Sequence, residues 1–338
     1  MSSRGEVQQV LNLAIDNCYS ALEAPLMRET TRALRSLGLS DAECVALVER
    51  VQDGPGASDR IVGVRAAISI DAAPPAAIEQ CLLLHTAVSY RSRIEQLSMS
   101  QGVLRLLADE LRFLADPPER DRPYLLAPTP SFVGLAKMVT LRRFPAGQLQ
   151  FELSGIPLSW FPRLAPWRLT KVIAFLARHA GGKRRPFYFH HVAWRRQNRL
   201  FLTESEQNRS YVRIAQSLAL HPEVKGLLTE SWLHSTETFR VSPHLAWLNK
   251  PFHEAGGLVV RLGDASESSG VFEGSAQRRQ LYEEGRFRPT AALVIWPRSA
   301  MLAWAARHPE FAEPPSREGE GAAAAASRPL PPTVVEAN

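Results

Sequence analysis

Residues 224–233, "VKGLLTESWL", decide the fold. A valine, three leucines and a tryptophan surround a few polar positions, the pattern of a buried strand. Helical spacing over 207–220 precedes it. After it, Ser242 and Pro243 open a helix predicted to run to 255, and Gly256 with Gly257 stops it. Strand 258–262, helix 275–284, strand 291–296 and helix 298–307 follow. Strands alternating with helices predict an α/β (α+β) class: a mixed, partly parallel sheet covered by helices.

Upstream, "LAKMVTLRRF" and "QLQFELSG" around "PAG" read as a hairpin, and "PFYFHHVAW" with "NRLFLTES" around "RRQ" as another. Between them "LAPWRLTKVIAFLARHA" predicts a helix that Gly181 and Gly182 end. The first third is helical. "VQQVLNLAIDNCYSALE" carries an apolar stripe, Ser40 and Glu43 have capping-box spacing, and two helices are expected over about 74–94 and 100–115. "RIVGVRAAISI" interrupts them as a β-rich run. Proline and charge over 116–130 mark a linker. The expected division is a helical domain over 1–115, the linker, a mixed α/β domain over 131–311, and a tail over 312–338 whose proline, glycine, alanine and serine predict disorder.

A chain of 338 residues with 45% hydrophobic content has material for two cored units. No window approaches the ~20 apolar residues of a membrane span, and "MSSRGEVQQVLNLAIDN" lacks the apolar centre of a secretion signal. The expectation is a soluble, cytoplasmic protein without a membrane partner. Cys18, Cys44 and Cys81 are odd in number, widely spaced and set in apolar helical patterns, so neither a disulfide framework nor a cysteine zinc site is expected. All seven tryptophans lie beyond residue 159, either as core filling or as walls of an aromatic pocket.

Charge is uneven. Residues 142–213 carry fourteen cations against Glu152, Glu204 and Glu206, while the whole chain is only +6. This asymmetry points to an anionic ligand or partner, or else to a solvated face. No nucleic-acid-binding motif accompanies it, so a small, anionic substrate is expected in preference to nucleic acid.

The stretch "SWLHSTETFRVSPHLAWL", residues 231–248, leaves the carboxyl end of the predicted strand, where ligands bind in alternating α/β sheets. Capping accounts for Ser242 and Pro243 but not for His234, Glu237 or Arg240. His234 and Glu237, with Glu230 at the strand end, are the candidate catalytic groups. Arg240, Ser231, Trp232 and His191 are the candidate substrate contacts. A metal held by His190 or His191 together with His234 and Glu237 is a further option. His190 and His191 point to opposite faces of a strand, so one at most can join such a set. His244 and His253 fall on opposite sides of one helix. There is no GxSxG elbow, GxGxxG loop or GxxxxGK[ST] loop.

The order of elements from 186 onward is similar to the core of the Gcn5-related N-acyltransferase superfamily (GNAT), and "SAQRRQLYEEGRFRPTAALVIW", residues 275–296, looks like the end of such a protein. The resemblance implies acyl transfer to an amine, with acyl-coenzyme A as candidate cofactor. It also implies Tyr282 as the acid that protonates a leaving thiolate, and Glu230 or Glu237 as base. That family holds the coenzyme A pyrophosphate on backbone amides of a glycine-containing turn at a helix start. The corresponding "TESEQNRSYVRIA" has no glycine and carries Glu204 and Glu206. Two other readings stand beside it: a non-catalytic module that binds an anion through the arginine-rich face, and a metal-dependent enzyme.

Overall fold

The structure, a computed structural model, describes residues 4–51, 55–68, 73–126, 129–192, 202–265, 270–272 and 275–312. The chain opens with helices α1 (Arg4–Leu22), α2 (Pro25–Ser36), α3 (Asp41–Arg50), α4 (Pro55–Ala67), α5 (Pro75–Ser89), α6 (Arg91–Glu95) and α7 (Gln101–Ala115). Helix α5 is apolar nearly all round and is buried at every position from Ala77 to Ala87, which makes it the centre of this half. The others pack on it with one stripe each, as α1 does through Leu11, Ala14, Ile15 and Cys18. The capping box of α3 forms as its spacing predicts: Ser40 Oγ accepts from the Glu43 amide, and Glu43 accepts from the Ser40 amide at 2.7 Å.

Two segments read as strand are helix. "RIVGVRAAISI" lies largely in α4, because Ile61, Val64 and Ile68 recur at helical spacing and fill the helical core. "LAKMVTLRRF" begins in α8 (Pro130–Val139), capped by Thr129 Oγ1 on the Phe132 amide and packed into the same core through Phe132, Ala136 and Val139, and only its end, Arg143 and Phe144, is strand. The 116–130 segment contains a 3₁₀ turn over Glu119–Leu125 whose Leu125 is fully buried in that core, so the helical layer continues through it to Val139.

The rest builds one six-stranded mixed sheet. Its strands are β1 (Arg143–Pro145), β2 (Leu149–Ser154), β3 (Phe187–Val192), β4 (Gly226–Ser231), β5 (Leu258–Asp264) and β6 (Thr290–Pro297), in spatial order β1-β2-β3-β4-β6-β5. The β1–β2 hairpin forms around Ala146–Gln148. β2 lies antiparallel on one edge of β3 and β4 parallel on the other. Of the return arm of the second expected hairpin, 198–205, residues 198–201 lie outside the described residues, as does the tail from 313, while Thr203 is a helix cap and Glu204 and Ser205 are helix instead of strand.

Helix α9 (Pro166–Ala180), ended by left-handed Gly181, covers one face of the sheet through Val172 and Leu176. Helix α10 (Glu204–Leu220) and helix α14 (Arg298–Arg307) cover the other through Tyr211, Leu218, Met301 and Trp304, with Trp296 of β6 beneath them. The helix expected over 243–255 is instead a 3₁₀ segment, Pro243–Asn249, followed by the short α12 (Lys250–Glu254); α11 (Thr236–Val241) precedes them and α13 (Ala276–Glu283) follows β5. The helical half joins the sheet half along α10: the Ser100 amide donates to Ser217 Oγ at 3.1 Å, and Ser100 Oγ to the Arg213 carbonyl at 3.1 Å. No helix among the described residues is long and apolar enough to cross a membrane.

Candidate functional site

Among the described strands, β3 and β4 form the only parallel step. Their paired register covers Tyr188 with Leu227 and Phe189 with Leu228. At the carboxyl side of this seam Thr229 Oγ1 donates to the His190 carbonyl at 3.0 Å. Strand alternation sends His190 toward α10, where its ring meets Tyr211 at 5.8 Å between centroids. His190 is 2% exposed, and neither ring nitrogen has a hydrogen-bond partner. On the first turns of α10, Gln207 donates to Tyr211 Oη at 2.7 Å and leaves its Oε1 unpartnered, and the buried Asn208 leaves its Oδ1 unpartnered. Each such orphan costs about 1–3 kcal/mol, so a native fold keeps a group of them where a ligand or water satisfies them.

His234 stands beside this group. Its ring lies 6.1 Å from His190 and 5.4 Å from Phe252, edge to face in both cases. Asn249 fixes its proton: Nδ2 donates to the His234 carbonyl at 3.0 Å, so Oδ1 is the atom that faces Nδ1 at 2.8 Å and accepts from it. Nε2 therefore keeps a lone pair, with no hydrogen bond to it among the described residues. Burial pushes the imidazole down to about 4 against the counteracting bond to Asn249, and burial lowers His190 well below the ordinary value too. Both rings are neutral at physiological pH. Phe252 and Trp296 complete the wall, each within 5.5 Å of the Tyr211 ring.

No protein-family model, curated protein or solved structure matches this chain. Its reading rests on its own residues.

The structure disperses the other expected site residues. Glu230 alternates onto the α9 face beside Leu228 and pairs with Arg163 at 3.4 Å, on the opposite side of the sheet from His190. His191 lies on that α9 face as well, bonded to Glu152 at 3.3 Å and to Arg143 at 3.3 Å. Glu237 is half-buried and pairs at 3.0 Å with Arg240, whose side chain is 78% exposed, so the two neutralise each other at the surface. Ser231 is spent on a cap, its Oγ accepting from the Leu233 amide at 3.1 Å. Trp232 and Tyr282 pack on a satellite cluster of Val271, Phe272 and Phe287, with Arg278 over the Trp232 ring at 4.9 Å and Tyr282 against Phe272 at 4.9 Å.

Of the candidates, only His234 thus reaches the seam. The two-histidine, one-carboxylate set is not assembled: His234 is tied to Asn249 and Glu237 to Arg240, and no three His, Cys, Asp or Glu among the described residues gather as ligands. Asn249, Gln207, Asn208 and Tyr211 escaped the sequence reading, and His190 entered it only as a metal option. Asn249 interrupts the apolar run "LAWLNKPF", which was its one signal.

Proposed function

We propose that the sheet half is an acyl-transfer module acting on an amine, with the acceptor held at the carboxyl ends of β3 and β4. The observation that carries this reading is the seam itself: a parallel step on whose buried carboxyl side His190 has no partner for either ring nitrogen, with a histidine locked in a single tautomer beside it. Chain connectivity supports it, since the run β3, α10, β4, α11–α12, β5, α13, β6 keeps the order that resembles the GNAT core. His234 Nε2 accepts the proton that the amine loses as it attacks the acyl carbon, and returns it to the thiolate that departs when the C–S bond of the thioester donor breaks. The carbonyl oxygens of Gln207 and Asn208 orient the remaining amine hydrogens. Glu230 and Glu237, each held by an arginine, are not the base in this scheme.

A coenzyme A pyrophosphate does not fit the start of α10. Thr203 Oγ1 already accepts from the Glu206 amide, and the Thr203 amide donates to Gln148 Oε1 at 3.2 Å. Glu204 and Glu206 stand at the same turn and place negative charge where phosphate would lie. Their pairing with Lys250 at 3.5 Å and Arg209 at 2.7 Å lessens that repulsion without supplying a cradle.

The test is the melting midpoint with two acyl donors, S-acetyl pantetheine and acetyl-coenzyme A, each at saturation. A donor at a hundredfold its Kd adds about 2.7 kcal/mol, a rise of several degrees for a chain of this size. Equal rises with both are expected. No rise with either donor removes the acyl-transfer reading.

A further inference from the structure

We infer that the outer face of α9 binds single-stranded nucleic acid, on the opposite side of the sheet from the seam and independently of it. From residue 153 to residue 203 the chain has no aspartate or glutamate. Helix α9 lies in the middle of that stretch, with Val172, Leu176 and Ala180 turned to the sheet. At 100° per residue, Trp167, Lys171, Ala174 and Arg178 then fall on one outward line, and all four are exposed. The line spans about 16 Å at 1.5 Å per residue. Lys183 and Arg185, exposed just past the helix end, prolong the cationic run.

Several surface cations are neutralised in ion pairs. Arg91, Arg112, Arg209, Arg240 and Arg286 each hold a carboxylate within 3.1 Å. Lys171, Arg178, Lys183 and Arg185 have no carboxylate partner among the described residues, so their charge is left to the solvent side. Trp167 is 63% exposed at the head of the line, and the Arg168 guanidinium lies 4.7 Å from its ring centroid. An exposed indole contributes nothing to a core, and an indole beside a guanidinium is a surface on which a base stacks. Unpaired cations set along one line suit a chain of phosphates, and an aromatic platform among them suits unstacked bases. An anionic membrane would share the cations. It would also require a continuous apolar face, whereas the apolar stripe of α9 is turned to the sheet and leaves Trp167 and Ile173 as its exposed large apolar side chains.

The experiment is fluorescence anisotropy of a labelled twenty-nucleotide oligouridylate with the full chain over a salt series. Binding is expected at low salt and should weaken steeply as salt rises. The K171E/R178E variant, whose changes lie on the exposed face, should lose binding at least tenfold with unchanged circular dichroism, and K171A/R178A should reduce the salt slope by about 1.4. Trp167→Ala should weaken binding on the order of tenfold without altering that slope. An oligonucleotide left free by the wild-type chain at low salt overturns the inference. So does binding that K171E/R178E leaves unchanged, and so does sedimentation with phosphatidylserine vesicles in place of oligonucleotide binding.

Discussion

His190 and His191 are neighbours on β3, and their surroundings are opposites. On the α9 face, His191 joins Glu152, Arg143 and Lys137 in a cluster where Glu152 takes bonds from Lys137 at 3.0 Å and from Arg143 at 3.0 and 3.1 Å. Burial alone would raise the Glu152 carboxyl, yet His191, Arg143 and Lys137 outweigh it and hold the group far below the usual carboxylate range. On the α10 face, His190 has no partner for either nitrogen. A saturated polar cluster ties β1, β2, β3 and α8 together. An unsaturated one on the same strand leaves the fold less stable than an apolar core would, so its retention points to binding.

The comparison breaks most visibly on the saturated side. Glu152→Ala leaves Lys137 and Arg143 half-buried without their shared carboxylate and should lower stability by about 3–5 kcal/mol in urea titration. A loss below about 1 kcal/mol would mean that water already supports those cations. Acid probes the other side. His234 titrates near 4 when folded and near 6.5 in an unfolded chain, so below pH 6.5 the unfolded chain takes up its proton first. Its contribution is complete above pH 6.5 and is lost as the pH falls toward 4, by on the order of 3 kcal/mol, and His190 adds loss of the same sign. Denaturant midpoints that stay flat over that window would show that both rings reach solvent.

Smaller effects sharpen the contrast. His190→Leu removes two orphaned nitrogens at similar volume and should raise stability by about 1 kcal/mol in urea titration. A destabilised variant would make His190 a packing residue. Arg240→Ala, at the exposed ion pair with Glu237, should change stability by no more than about 0.5 kcal/mol and leave donor binding intact. Loss of binding in that variant would return the site to the surface loop.

Local pattern carried much of the architecture. The stretches 207–220, 291–296 and 298–307 formed elements close to their periodic bounds as α10, β6 and α14, and the Ser40 box and the Gly181 stop formed as spacing predicts. Where propensity and periodicity disagreed, periodicity won, as in α4, whose β-branched residues lie at helical spacing against the helical core. The site was less legible. The loop after β4 was in the right place, but only His234 among its candidate site residues is buried, because Glu237 and Arg240 found each other one turn apart at the surface.

By itself, the sequence determined the kind and approximate bounds of most strands and of helices such as α5, α7, α9, α10 and α14, their helical-then-mixed order, and the opposition of His190 to His191. Those follow from periods of 3.6 and 2 and from caps, interactions that span a few residues. Only the tertiary structure decided that β4 pairs in parallel with β3, that Glu230 and His234 part to opposite faces, and that Asn249 fixes the His234 proton. Each depends on contacts between residues far apart in the chain, whose pairing no local period encodes.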